Sequence, residues 1–373
     1  MKKKILFITG TRADFGKIQS VIKILSKRFN VQVIITGIHI LKKYGSTYKH
    51  VIKNLKNIKY FKCANQSYDS SLDLVVSNSI RLFSPIIKSI KPDLIIIHGD
   101  RAEALAGAIS GSFNNYLVGH IEGGELSGTI DEHIRHAISK LSHAHFVSNL
   151  QAKNRLLRMG ENLNSVHVVG SPDLDVMNEE KLPPINEVKK RYDIYFDNYS
   201  ISILHPVTTD LKNFYNNSKE YFEALIKSNL NYVVILPNND PGSYIVHNMI
   251  EKLLVKNNKF KILPSMRFEY FLRALQNSMF IIGNSSSGIK EAPFYGVPSI
   301  NVGTRQFGRA SLESISNVKF NKKNILSIIK KNKNKKFKKD LFFGKGDSSK
   351  KILKVLSNNT FWNMSVQKIF SKY

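Results

Sequence analysis

Short runs of β-branched and aliphatic residues ending in Gly, Asp, Asn or Pro recur along this chain, and nothing else in it restricts the fold as much. In the first half they fall at residues 5–9, 31–36, 94–98, 116–121, 144–148 and 166–169. Unbroken apolar runs of this length suit parallel strands buried on both faces, whereas strict alternation would mark a sheet with one face in water. The intervening stretches are amphipathic: across 17–28, Ile18, Val21, Ile22 and Leu25 keep the i, i+3, i+4, i+7 spacing of a helix stripe. Strands alternating with helices predict an α/β fold built on a doubly wound parallel sheet. The polar stretch 178–186, with Pro183 and Pro184, reads as a linker, and the pattern then restarts at 200–204, 232–236, 260–263, 280–282 and 299–302. Two Rossmann-like domains are expected, over 1–178 and 179–355, with a final helix over 356–373 packed back on the first. Ligands of such sheets bind outside the carboxyl ends of the strands, so the two parallel sheets are expected to face a cleft.

At 373 residues the chain is too long for one ordinary core. Its net charge of +28 (56 basic minus 28 acidic) favours polyanionic partners. Lysine and asparagine are enriched together throughout, however, and 319–354 alone holds fourteen lysines against Asp340 and Asp347. That pattern reads as compositional bias more than as a binding patch. With no aromatic interleaving and no helix-turn-helix pattern, no nucleic-acid partner is expected. Cys63 is the sole cysteine, which rules out an internal disulfide framework and suits a reducing, cytoplasmic compartment. The apolar run after the first lysines stops at Gly10, too short for a signal core. No later segment approaches the roughly 18 apolar residues of a membrane span, so no membrane insertion is expected.

Polar motifs sit at the strand ends. The first turn, Gly10-Thr-Arg12-Ala-Asp14-Phe-Gly16, combines glycines, a helix start and an arginine, a setting that favours phosphate. It is not a G-x-G-x-x-G fingerprint, and no acidic ribose partner follows at the usual distance, so a nicotinamide cofactor is disfavoured. In the second half, Gly283-Asn284-Ser285-Ser286-Ser287-Gly288 runs from a strand into a helix carrying Glu291. Amides and hydroxyls there can cradle a diphosphate, and a carboxylate about one turn on can accept both hydroxyls of a ribose. Arg267, Arg305 and Arg309 fall near neighbouring strand ends. His205 ends a buried strand in His205-Pro206-Val-Thr208-Thr209; it reads equally as a structural histidine or a substrate contact. Pro237-Asn238-Asn239-Asp240 is explained as a turn.

A basic chain that gathers carboxylates beyond buried strands needs a reason. Asp100 follows one apolar run and Glu122 the next, and Asp131 is placed to cap the helix that runs to Leu141. Buried strand ends are costly places for carboxylates unless they are paired or used, so capping explains neither Asp100 nor Glu122. The histidines at 133, 136, 143 and 145 tempt a zinc reading, but neither His-Glu-x-x-His nor paired cysteines occur, and no metal is expected. On the helix carrying His133 and His136, the apolar stripe is Ile134, Ala137, Ile138 and Leu141.

Taken together, Gly-Thr-Arg12-Ala-Asp-Phe-Gly, His-Gly-Asp100-Arg, His120-Ile-Glu122-Gly-Gly-Glu125, Gly-Ser171-Pro-Asp173, Arg267-Phe-Glu and Gly-Asn284-Ser-Ser-Ser-Gly-x-x-Glu291 resemble the hydrolysing UDP-N-acetylglucosamine 2-epimerases of bacterial sialic acid synthesis. The likeness spans about residues 4–310. It implies the two-domain GT-B architecture and a metal-free, cofactor-free reaction on a UDP-sugar: anti elimination of UDP to a 2-acetamidoglucal, then syn addition of water. Non-hydrolysing relatives typically have an Ala-Gly-Leu-Arg-type sequence where this chain has Glu122-Gly-Gly-Glu125, which favours the hydrolysing branch. By the motif match, Asp100, Glu122 and Asp131 are catalytic. Arg12, His205, Arg267, Ser285, Ser286 and Gly288 hold the diphosphate, and Glu291 the ribose. The resemblance further implies a homo-oligomer, dimer or tetramer. Two alternatives stand beside it: a hydrolysing 2-epimerase acting on UDP-N,N′-diacetylbacillosamine, and a GT-B glycosyltransferase using the same nucleotide site.

Overall fold

Thirteen strands in two all-parallel sheets carry the described part of the chain. The computed structural model describes residues 2–67, 70–127, 130–177, 182–207, 210–237 and 242–371. Linker residues 178–181, the Thr208–Thr209 pair and Asn238, Asn239 and Asp240 of the expected turn lie outside the described residues. The chain divides into two units: residues 1–125, 130–176 and 342–373 form the first, 126–129 and 177–341 the second.

In the first unit the strands are β1 (Lys4–Thr9), β2 (Asn30–Ile35), β3 (Lys59–Lys62), β4 (Leu94–His98), β5 (Leu117–Ile121), β6 (Ala144–Val147) and β7 (Val166–Val168), in the order β3-β2-β1-β4-β5-β6-β7. Both faces are buried, and the two-residue period of a strand shows in the packing. Ile5 and Phe7 enter one core with Phe15, Ile18, Val21, Ile22 and Leu25 of the helix Arg12–Leu25. Leu6 and Ile8 enter the opposite core with Phe83 and Ile87 of the helix Leu72–Ile90. The helix Ala102–Phe113 lies close on that second face because it presents glycines: a Cβ on Gly107 would come within 2.5 Å of Ile8 Cδ1, and one on Gly111 within 2.6 Å of Val118 Cγ2. That close packing fixes the loop just before it, where Asp100 sits.

The second unit holds β8 (Ser200–Ile203), β9 (Tyr232–Ile235), β10 (Phe260–Leu263), β11 (Ile281–Gly283), β12 (Ser299–Val302) and β13 (Ile315–Val318), ordered β10-β9-β8-β11-β12-β13. Phe214, Tyr221, Phe222 and Leu225 of the helix Leu211–Ser228 pack on Tyr232, Val234, Ile282 and Ile300. In both sheets the order reverses beside the first strand of the unit, which opens a crevice at the carboxyl ends of β1 and β4, and of β8 and β11.

The α/β expectation holds, and the parallel strands lie where the apolar runs fall, except β3 and β13, which no run marks. The tail differs. The chain returns to the first unit at Phe342, not at 356, and its helix is Ser348–Leu356, followed by a 3₁₀ turn at Asn359–Asn363. Ile352, Leu356 and Phe361 bury into the core beneath the helix Arg12–Leu25, which is why the segment belongs there despite its lysines. Among the described residues no helix is long and apolar enough to cross a membrane.

Candidate active site

The carboxylates of the first unit fall into two connected groups at the carboxyl ends of β4 and β5. Asp100 follows β4 and is half-buried; its carboxylate accepts from the guanidinium of Arg135. Arg135 is buried, and its other arm donates to the Glu125 carbonyl at 3.0 Å. Glu125 in turn accepts the Ser148 hydroxyl at 2.8 Å. Arg135 lies four residues after Asp131 on the helix Asp131–Leu141, and i, i+4 side chains share a face, so the helix presents Asp131 on the Arg135 side. Asp131 is the first residue of that helix rather than its cap, since Ile130 holds the N-cap position and no side-chain cap bond forms. The buried face also differs from the expected stripe: Arg135, Ile138 and Ser139 are buried while Ala137 is exposed.

The second group centres on Glu122. It is buried and holds a left-handed φ of 64°, a conformation that costs a non-glycine residue on the order of 1 kcal/mol or more. That turn swings its carboxylate away from β5 toward Ser171, whose hydroxyl donates to Oε1. Oε2 lies 3.4 Å from His98 Nε2, an ion-pair contact rather than an aligned hydrogen bond. The other imidazole nitrogen of His98 donates to Asp14 Oδ1 at 2.8 Å. Burial works against a charged His98, but the Asp14 hydrogen bond, the close Glu122 carboxylate and the charges of both outweigh it and push its pKa up to about 10. Burial likewise opposes ionisation of Asp14, yet the His98 contact, the Thr9 hydroxyl and the Gly10 amide hold its carboxyl below the usual range. His120 does a different task. Burial pushes it down to about 3, and its neutral ring donates to the Gly99 carbonyl at 2.7 Å, bracing the loop that carries Asp100.

His98, Glu122 and Asp173 place ligand-type atoms within 4.8 Å of one another. Cations already serve this group, because Lys17 Nζ is 2.9 Å from Asp173 Oδ2 and the carboxylates of Asp14 and Glu122 favour an imidazolium at His98. An imidazolium has no lone pair for a metal, so these residues do not fit one in this protonation state. Three of the four histidines that suggest zinc have separate partners: His143 receives the Val118 amide, His145 meets Glu161, and His136 lies 3.6 Å from Glu132.

In the second unit Asn284, after β11, ties two strand ends together. Its side chain accepts from the His205 amide at 2.7 Å and donates to the His205 carbonyl at 2.8 Å. Its own carbonyl accepts from Arg305 at 3.2 Å and Gln306 at 3.1 Å, and Arg309 donates to Gln306. His205 is buried and held neutral, down to about 3, by burial and by Arg305, so it offers a hydrogen bond rather than a charge. Ser285 caps the turn Ser286–Gly288 by accepting the Ser287 amide at 3.3 Å. Gly283 must be glycine: at φ 134° a Cβ would sit 1.9 Å from the Ile203 carbonyl oxygen. Glu291 is buried as the first residue of the short helix Glu291–Phe294, not a turn inside a longer one. Arg12 and Arg267 are exposed, each at the start of a helix following a strand. Sequence reasoning did not single out Asp14, His98, Lys17 or Arg135; position in the first strand-to-helix turn or at a strand end marks the first three, and Arg135 lies mid-helix with no such mark.

Two doubly wound parallel units, one with strand-end carboxylates and one with a serine-glycine turn into a short helix, have the GT-B fold. A solved UDP-GlcNAc 2-epimerase from Neisseria meningitidis bound to UDP-GlcNAc superposes with a TM-score of 0.81 at 22% identity, covering 95% of this chain and 99% of that one. The UDP-N-acetylglucosamine 2-epimerase family profile matches residues 23–357, and this chain belongs to that family. A UDP-N-acetylglucosamine 2-epimerase of N. meningitidis serogroup B is 46% identical over 99% of this chain and 98% of its own length. A hydrolysing UDP-N,N′-diacetylbacillosamine 2-epimerase of Legionella pneumophila is 33% identical over 95% and 96%.

Proposed function

We propose that the protein converts UDP-N-acetylglucosamine and water to N-acetylmannosamine and UDP, the first step toward a sialic acid. In the first half-reaction a base takes the C2 proton while the C1–O bond to UDP breaks, forming the C1–C2 double bond. In the second, water adds to C1 and a proton returns to C2 on the opposite face, giving the manno configuration. The observation that carries this reading is the paired carboxylate array. Asp100 on Arg135 and Glu122 between Ser171 and His98 are carboxyl groups held in fixed directions beyond adjacent strands. Asp100 serves as the base at C2. Glu122 and Asp131 supply and remove the protons of hydration.

The second unit holds the leaving group in this reading. The amides and hydroxyls of Ser285, Ser286 and Gly288 cradle the diphosphate, neutral His205 donates one hydrogen bond, and Arg267 adds charge; the motif match assigns Arg12 of the first unit to the same diphosphate. Glu291 accepts the ribose hydroxyls. The relative at 33% identity supports a second substrate, UDP-N,N′-diacetylbacillosamine, and the one at 46% identity favours N-acetylglucosamine. Incubation with each UDP-sugar separately decides between them: release of UDP from the N-acetylglucosamine substrate alone supports the first reading, and release from the bacillosamine substrate alone replaces it. The enzyme works in the cytoplasm as a homo-oligomer, which light scattering of the purified protein tests.

A further inference from the structure

Glu122 is backed by an ordered array in which every proton has one direction. Thr9 Oγ1 gives its single proton to Asp14 Oδ2 at 2.7 Å, so at 3.3 Å from His39 Nε2 it can only accept. His39 is thereby the Nε2–H tautomer, and its Nδ1 accepts the Thr47 hydroxyl at 2.7 Å. The Gly10 amide also donates to Asp14 Oδ2, at 3.2 Å, and His98 Nδ1 donates to Oδ1. Asp14 lies in the first turn of the helix Arg12–Leu25, where the helix dipole favours an anion. Three donors and the dipole keep it a carboxylate, and a buried carboxylate on one imidazole nitrogen with a second 3.4 Å from the other favours the doubly protonated ring. The remaining N–H of His98 faces Glu122.

We infer that Asp14 and His98 are positioning residues of the reaction: a buried charge pair that aims the Glu122 carboxylate and keeps it ionised before each turnover. The inference rests on the proposed role of Glu122 in proton transfer. Charged or titratable groups facing the pair are Glu122, Asp173 with Lys17 upon it, His39, which burial keeps neutral, His120 and Arg101. With His120 neutral and Lys17 neutralising Asp173, the partners of His98 are the two carboxylates it touches. A cation beside Glu122 favours its carboxylate form, and it makes the protonated form a better donor when hydration requires the proton back. His98 touches no reacting atom in this scheme and acts through Glu122.

Two measurements test it. Nitrogen-15 spectra of histidine-labelled wild-type protein read the His98 ring directly and need no substrate; a doubly protonated ring at pH 7.5 is expected, and a neutral one overturns the inference whatever the enzyme's substrate. Asp14→Asn removes the charge while keeping the shape. Its kcat at neutral pH should fall about 10-fold or more with KM within about twofold, and the acid limb of kcat should move up by about one to three pH units. A lowered kcat with an unmoved acid limb means that Asp14 only supports the fold, and overturns the inference. If wild type leaves UDP-N-acetylglucosamine untouched, the functional reading fails while the spectra still decide the state of His98.

Discussion

In the proposed scheme Asp100 is the base for a weakly acidic C–H: it is half-buried, and the Arg135 guanidinium on its carboxylate favours the charged form. Its replacement by Asn keeps the size and the Arg135 contact but cannot accept the proton. Asp100→Asn should lose about 1,000-fold or more in kcat while UDP still binds, measured by steady-state kinetics and by calorimetry with UDP. Wild-type turnover in that variant contradicts the role. Glu291 belongs to the other unit and, in the proposed scheme, contacts only the ribose. Glu291→Ala should raise KM by roughly 10-fold with little change in kcat, the signature of lost uniform binding. A large fall in kcat at unchanged KM would place Glu291 among the proton-transfer groups instead.

At the scale of elements, the helix Asp131–Leu141 links the site to the chain's end. The carbonyls of Ser139 and Lys140 in its last turn and of Ser142 just after it accept from Lys368 Nζ at 3.0, 2.8 and 2.7 Å. The same ammonium lies 2.7 Å from Glu161, which also meets Lys140 at 2.8 Å. Burial pushes the Glu161 carboxyl up, but the His145 hydrogen bond and the two lysines outweigh it and hold it down at about 2. His145 itself is held below its usual range by burial, so it serves as a neutral donor and the lysines carry the countercharge. A depressed carboxylate stabilises the fold above its unfolded value, near 4.5, and that stability is lost as pH falls toward 2. Thermal unfolding followed from pH 5 to pH 2 should therefore show a falling Tm, and Lys368→Met should lower stability at pH 7 by about 1–3 kcal/mol. A Tm insensitive to both changes would remove the link between tail and helix.

Much of the fold was legible at this scale because the central strands are buried on both faces and declare themselves as apolar runs. The edge strands β3 and β13 did not. Lys59, Tyr60 and Lys62 are exposed, and β13 has no fully buried residue, so neither carries the pattern of a two-sided sheet. Asp100 and Glu122 stood out in the sequence because carboxylates after apolar runs are costly without a use, whereas Asp131 entered through the motif resemblance. Arg135 was hidden, since a charged residue on a helix ordinarily marks its wet face and only the fold turns this one inward. His98 and Asp14 were hidden for a related reason: a buried pair is a property of two sequence-distant residues, 84 positions apart.

For the whole molecule, the proposed division of labour is that the first unit moves protons and the second holds the nucleotide. The net charge of +28 plays no part in it, and the lysine-rich region extends through the tail helix that buries Ile352 and Leu356. A hydrolysing epimerase, a non-hydrolysing epimerase and a glycosyltransferase can share this fold, and what separates them is the fate of C1 and C2 of the sugar. Incubating the protein with UDP-N-acetylglucosamine alone in deuterated water, and following products by NMR and mass spectrometry, reads that fate in one experiment. Free UDP with N-acetylmannosamine carrying deuterium at C2 is the predicted result. An epimerised sugar still attached to UDP, or N-acetylmannosamine that retains its original C2 hydrogen, would contradict it.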